Sequence, residues 1–197
     1  MFKKILKSAR NRILFNQFHP EIVLGYLRQT DNVFLKNTRI SNTTSLVGED
    51  HLDIKDHVFI GHFNLIDASN GLTIDEGCQI TNHVSILTHS SHVSIRLYGK
   101  AYIKHKNRHI GYVVGQTIIG KYSFIGPHSV IMPGAKIGKG SIVNAYSYVK
   151  DSFPDFAIIA GNPAKVIGDT RRLDTPFLEQ YPELKKHYNE WASDNVK

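Results

Sequence analysis

Two histidines, His89 and His92, stand in "VSILTHSSHVSIRLYG" at residues 84–99, among small hydroxyl side chains just past an aliphatic run. An imidazole titrates near neutrality, so either ring suits the removal of a proton from a weakly acidic group such as an alcohol. Such a base must come within about 3 Å of its target, and its second ring nitrogen needs an orienting acceptor. From Gly77 through Lys150 there is no Asp or Glu, against nine Lys and Arg residues. The orienting acceptor is therefore a backbone carbonyl or an acid from elsewhere in the chain, with Asp67 a candidate. The one-signed field also concentrates anions, and points to an anionic ligand near the histidines.

The elements that must hold these residues follow from a repeat. Residues 118–149 divide into "IIGKYS", "FIGPHS", "VIMPGA", "KIGKGS", "IVNAYS" and "YV", with Ile119, Ile125, Ile131, Ile137, Val143 and Val149 at the second positions. Four residues after the first five of these come Ser123, Ser129, Ala135, Ser141 and Ser147, all small. Upstream, Ile54, Ile60 and Ile66 keep the period; Asn70-Gly71 interrupts it, and Ile74, Ile80 and Ile86 resume it. Weaker beats fall at Phe34, Ile40, Leu46 and Leu52. Neither a helix nor simple alternation gives a sixfold period. A short strand plus a turn does, with one inward aliphatic per strand and a small residue at each bend; three such units close a triangular coil. The period pauses between Ile86 and Ile119, so residues 91–117 are an excursion, carrying Arg96, Lys100, Lys104, Lys106 and Arg108 beside Tyr98, Tyr102 and Tyr112.

The repeat resembles the hexapeptide acyltransferases, in particular the sugar O-acetyltransferase branch typified by maltose, galactoside and polysaccharide O-acetyltransferases. The resemblance covers roughly residues 34–168 and implies an all-β fold, a left-handed parallel β-helix. It also implies a homotrimer in which the 91–117 excursion of one subunit closes over the next. In that branch the catalytic histidine follows the aliphatic beat by three residues, the spacing from Ile86 to His89; related branches place it later, which keeps His92 as the alternative. "HFNLID" resembles the acceptor-positioning segment, giving Asn64 and Asp67 as acceptor-binding candidates. The ending "AGNPAKVIG" resembles the family's closing glycine–x–proline with a basic residue two positions on, so Lys165 is expected to meet a phosphate of coenzyme A. Gly168 stands where some relatives have a second basic residue, for which Arg171 or Arg172 are substitutes. The coenzyme arm would run past Phe124, Gly126, Ala145 and Tyr146.

The implied activity is acetyl-CoA-dependent transfer of acetyl to a sugar hydroxyl, of a surface polysaccharide, lipopolysaccharide or capsule, by direct attack on the thioester and without a metal. N-acetylation of an amino-sugar nucleotide is the alternative within the fold. A γ-type carbonic anhydrase would need three converging imidazoles, with His83 and His89 to be considered. A non-catalytic β-helix module would need no base at all.

The flanks and composition bound the rest. Phe2, Ile5, Leu6, Ala9 and Ile13 follow helical spacing among Lys3, Lys4, Lys7, Arg10 and Arg12, an amphipathic helix that caps the coil within 1–33 or makes weak peripheral membrane contact. Phe177, Leu178, Tyr181, Leu184, Tyr188 and Trp191 trace a second helix within 169–197, with Pro182 in its first turn. No apolar run approaches the roughly 18 residues of a membrane span. The single cysteine, Cys78, excludes an internal disulfide and fits a reducing compartment. A cytoplasmic protein is expected, at most touching the inner face of the membrane, with no nucleic-acid partner.

Overall fold

The structure, a computed structural model, describes residues 19–105 and 109–193. It is mostly β, built from strands of two or three residues that visit three parallel sheets in rotation. The first sheet carries the inward column Ile40, Ile60, Ile80, Ile125, Val143 and Ile159, each in register with the next. The second carries Leu46, Ile66, Ile86, Ile131 and Val149, and the third Ile54, Ile74, Ile119, Ile137 and Phe153. Every isoleucine of these columns from Ile54 to Ile137 is buried to 1% exposure or less. Burying one such side chain contributes about 1.5–3 kcal/mol, so the columns form the main core.

Three of the small corner residues tie their coil to the next. The hydroxyls of Ser123, Ser129 and Ser141 are buried and donate to the carbonyls of Gly138, Asn144 and Pro154 at 2.9, 3.0 and 3.2 Å. A larger side chain there would displace the neighbouring coil.

The ends depart from the sequence reading. The coil begins at Ile40, not Phe34, whose side chain is 64% exposed. Phe34 belongs to a long strand, Val33–Ser41, that pairs antiparallel with Ile22–Arg28, and its ring lies against Gly25. Part of the stretch expected as a cap is thus a hairpin; the helix expected over residues 2–13 lies outside the described residues. At the other end the coil stops at Gly161, and Ala164–Asp169 runs back antiparallel along Ala157–Gly161. The C-terminal stripe forms two helices, Arg171–Gln180 and Lys185–Ala192, because Pro182 opens a short 3-10 turn between them instead of sitting in a first helical turn. Lys139 caps the second helix by donating to the carbonyls of Trp191 and Ala192.

The excursion has structure of its own. Its neck is a two-stranded antiparallel ladder, His89–Ser90 with Val113–Val114, beyond which lie a short helix, Ser94–Tyr98, and a 3-10 stretch, Gly99–Lys104. Leu72–Ile74 then pairs with Thr117–Ile119, so the coil resumes in register.

Candidate active site

His89 sits where the second sheet gives way to the excursion, one residue beyond the buried Thr88. Its neighbour in the preceding coil is Asp67, at the end of the Leu65–Asp67 strand. His89 Nδ1 lies 2.8 Å from Asp67 Oδ2. Nδ1 is buried, yet it makes no aligned hydrogen bond, so at this separation the carboxylate sits off the line of the ring N–H. The two groups are in close polar contact without a formed hydrogen bond. The His89 side chain is 37% exposed, which leaves Nε2 as the nitrogen available to a ligand.

Asp67 is itself firmly held. Its Oδ1 accepts from the Ser69 backbone N–H at 3.0 Å and hydroxyl at 2.6 Å. Its Oδ2 accepts from the Thr88 backbone N–H at 3.1 Å and hydroxyl at 3.0 Å. Burial pushes the Asp67 carboxyl up, but the bonds from Ser69 and Thr88 outweigh it and hold the group below the usual carboxylate range. Asp67 therefore presents a fixed negative charge to the Nδ1 edge of the His89 ring. On its other side the His89 ring stacks against Tyr112, with centroids 5.6 Å apart and planes inclined by 17°.

His92 is exposed and turned elsewhere: its Nδ1 pairs with Ser90 Oγ at 2.8 Å, and its carbonyl accepts from the Arg96 guanidinium. Asn64 is buried and committed to the coil. Its amide donates to the carbonyls of Gly61 and Thr81 at 2.9 and 2.8 Å, and its Oδ1 accepts from the Val84 N–H at 2.7 Å. Both amide hydrogens are used, so Asn64 acts as a coil-building side chain here. Asp67 likewise faces His89 and its own donors, not open space.

The residues expected along a coenzyme arm lie on other edges of the prism. Phe124 is on the outer face of the first sheet and lines a largely apolar groove of about 510 Å³ with Tyr122, Ile142, Phe177, Tyr188 and Trp191. Tyr146 is at the corner between the first and second sheets, in a column of parallel rings: it stacks on His128 at 4.9 Å, His128 on His83 at 4.8 Å, and His83 on Phe63 at 5.2 Å. Ala145 is exposed beside it. Gly126 is buried, and its smallness serves the coil: a Cβ there would lie 2.6 Å from Ala145 N and Val143 O. The next coil's backbone already fills the space that a side chain would take.

Lys165 is exposed on the returning strand, opposite Ala160. Arg171 is engaged with Asp169 and lies over the Phe156 ring at 4.9 Å, whereas Arg172 is exposed. His83 and His89 occupy different corners. Among the described residues no group of three or more His, Cys, Asp or Glu is placed to hold a metal ion. Nor is any helix among them long and apolar enough to cross a membrane. Sequence reading passed over Thr88, Ser69 and Tyr112 as partners of the His89–Asp67 pair. Only Asp67-x-Ser69 carried a local signal, the turn in which an aspartate accepts from the N–H two residues on.

Comparison with known proteins places the repeat. Residues 116–151 match the family described as "Bacterial transferase hexapeptide (six repeats)". The chain is 29% identical to a dTDP-4-amino-4,6-dideoxy-D-glucose acyltransferase of Escherichia coli over 71% of its own length and 72% of that protein's. It is 33% identical to a chloramphenicol acetyltransferase of Agrobacterium fabrum, over 44% of its own length and 40% of that protein's. Among solved structures it resembles a mutant of the N-acyltransferase AntD of Bacillus cereus in complex with dTDP and coenzyme A (TM-score 0.57, 22% identity, 74% of this chain and 90% of that one). It also resembles a hexapeptide-repeat acetyltransferase of Vibrio cholerae complexed with acetyl coenzyme A (TM-score 0.55, 22% identity, 64% of each chain). At these identities the structural likeness speaks to fold.

Proposed function

We propose that this protein is an acetyl-CoA-dependent acyltransferase of the hexapeptide-repeat kind acting on a sugar hydroxyl, its coil wound left-handed. The observation that carries the reading is the buried, ionised Asp67 set 2.8 Å behind the Nδ1 of a half-exposed His89, at the one corner where the coil opens into an excursion. His89 Nε2 takes the proton from the acceptor hydroxyl as its oxygen attacks the acyl carbon, and returns that proton to the departing sulfur. Proton and acyl group are both accounted for, and no covalent enzyme intermediate is needed. Asp67 stays ionised throughout and steadies the transient imidazolium. The acetyl donor supplies an acyl group already activated as a thioester. Lys165, exposed at the end of the coil, and the acid-free stretch around the site suit its phosphates.

His89 and the residues expected to meet coenzyme A lie on different edges of one chain. A site containing both is therefore built between subunits, which supports a homotrimer. The excursion is suited to such a contact, for it exposes Ile103 at 88%, Ile110 at 75% and Leu97 at 62%.

A second reading, N-acylation of an amino-sugar nucleotide, is favoured by the E. coli relative, an acyltransferase named for such a substrate. The test is turnover of acetyl-CoA against a panel of glycans, sugar nucleotides and amino-sugar nucleotides, followed by release of free thiol. Turnover with a neutral hydroxyl acceptor is expected. Turnover confined to amines moves the protein to the second reading, and none with any acceptor overturns both.

A further inference from the structure

The His89 ring is not fixed by Asp67 alone, because the 2.8 Å contact is unaligned and leaves the ring free to turn about its last bond. What limits that rotation is the flat contact with Tyr112. We propose that Tyr112 is the positioning residue of the site, clamping the His89 imidazole from the returning end of the excursion. This rests on the reading of His89 as the base.

The chain brings Tyr112 there by an explicit route. In the neck, His89 pairs with Val114. Tyr112 is two residues before Val114 and so lies on the same face as its side chain, diagonal to His89, at a separation that an aromatic ring spans. Gly111 lets the chain enter the neck: its φ is +76°, and a Cβ there would lie 2.8 Å from Val93 Cγ1. The Tyr112 N–H donates to the His109 carbonyl at 3.1 Å, fixing the turn. Thr88 closes the base of the neck by accepting from the Gly115 N–H at 3.1 Å. The Tyr112 ring therefore moves with the neck strand.

The clamp has a direct consequence for a base. It holds the ring with Nδ1 toward Asp67 and Nε2 outward, the orientation that proton removal from a ligand requires.

The experiment uses the full chain and reads the stack and the chemistry separately. In proton NMR spectra the ring current of Tyr112 should shift the His89 ring protons upfield; the His92 ring protons serve as the reference. Tyr112→Phe should keep that shift and stay near wild-type kcat. Tyr112→Ala should lose the shift and lower kcat by about 10²-fold, the scale of a misplaced reacting group, with KM for acetyl-CoA little changed. Tyr112→Leu keeps bulk without a ring and should behave like Tyr112→Ala, which separates the clamp from simple packing of the neck. His89 protons that do not move in Tyr112→Ala or Tyr112→Leu overturn the stack. A lost shift with unchanged kcat overturns the positioning role. Full turnover in His89→Ala would instead remove the base assignment, leaving the ring-current shifts to judge the clamp by itself.

Discussion

Thr88 grips one oxygen of Asp67 twice, through its backbone N–H at 3.1 Å and its hydroxyl at 3.0 Å, while the same oxygen faces His89 Nδ1. The Thr88 hydroxyl also accepts from the Asn70 N–H at 3.0 Å. The carboxylate is thus anchored by neighbours in two coils before the imidazole is considered.

Asp67→Asn is expected to replace one acceptor oxygen by an amide that faces donors, costing about 1–3 kcal/mol of stability for the groups left unpaired. Because Asp67 is held below the usual carboxylate range in the fold, its stabilisation is present above the ordinary carboxyl pKa and is lost as pH falls through the lowered one. The gap in stability between wild type and Asp67→Asn should therefore be full at neutral pH and close in acid. Denaturant titrations across that range check it, and a gap that widens in acid contradicts the assignment.

His89→Ala should lower kcat by 10²–10⁴-fold, about the contribution of a general base, with assembly and coenzyme binding intact. His92→Ala should lose clearly less, since its ring is exposed and paired with Ser90. The reverse ranking would move the base to His92.

Lys165→Ala should weaken acetyl-CoA more than the acceptor, and the deficit should shrink at high salt, as screening of an exposed charge requires. Steady-state kinetics at two ionic strengths decide this. A change only in the acceptor's KM would mean that Lys165 meets the other substrate.

In solution the protein should sediment as a trimer. Placing charge on the exposed apolar positions of the excursion, as in Ile103→Glu with Ile110→Glu, should dissociate it and abolish turnover together. A fully active monomer would show that one chain holds the whole site.

The coil was legible because one physical demand repeats: an inward aliphatic every six residues either fits the prism or breaks it. The reading failed at Phe34, where an unseen antiparallel partner at Ile22–Arg28 pulled the strand out of the coil. At Gly126 the structure shows a packing reason for glycine that the sequence did not reveal, since the space denied to a Cβ belongs to the next coil. His89 was singled out by its place in the period and Asp67 because acids are scarce; the structure adds that the two lie 2.8 Å apart. Tyr112 was hidden because its contact depends on the register of the neck, which pairs residues 25 apart and leaves no periodic trace.

The antiparallel neck has a bearing on how such proteins diversify. The coil arrives at Leu87 and resumes at Thr117 in register with Leu72, so the stack registers nothing of what is threaded between. Lengthening a flexible insert is cheap, about 0.6 kcal/mol for each doubling. The excursion can therefore be traded for one of different size and sequence without refolding the prism, provided that the graft begins and ends on the neck pair. That pair also carries the His89 backbone, whereas Tyr112 lies just before its returning strand, so a transplanted insert would keep the place of the histidine and would have to bring its own ring to lie against it.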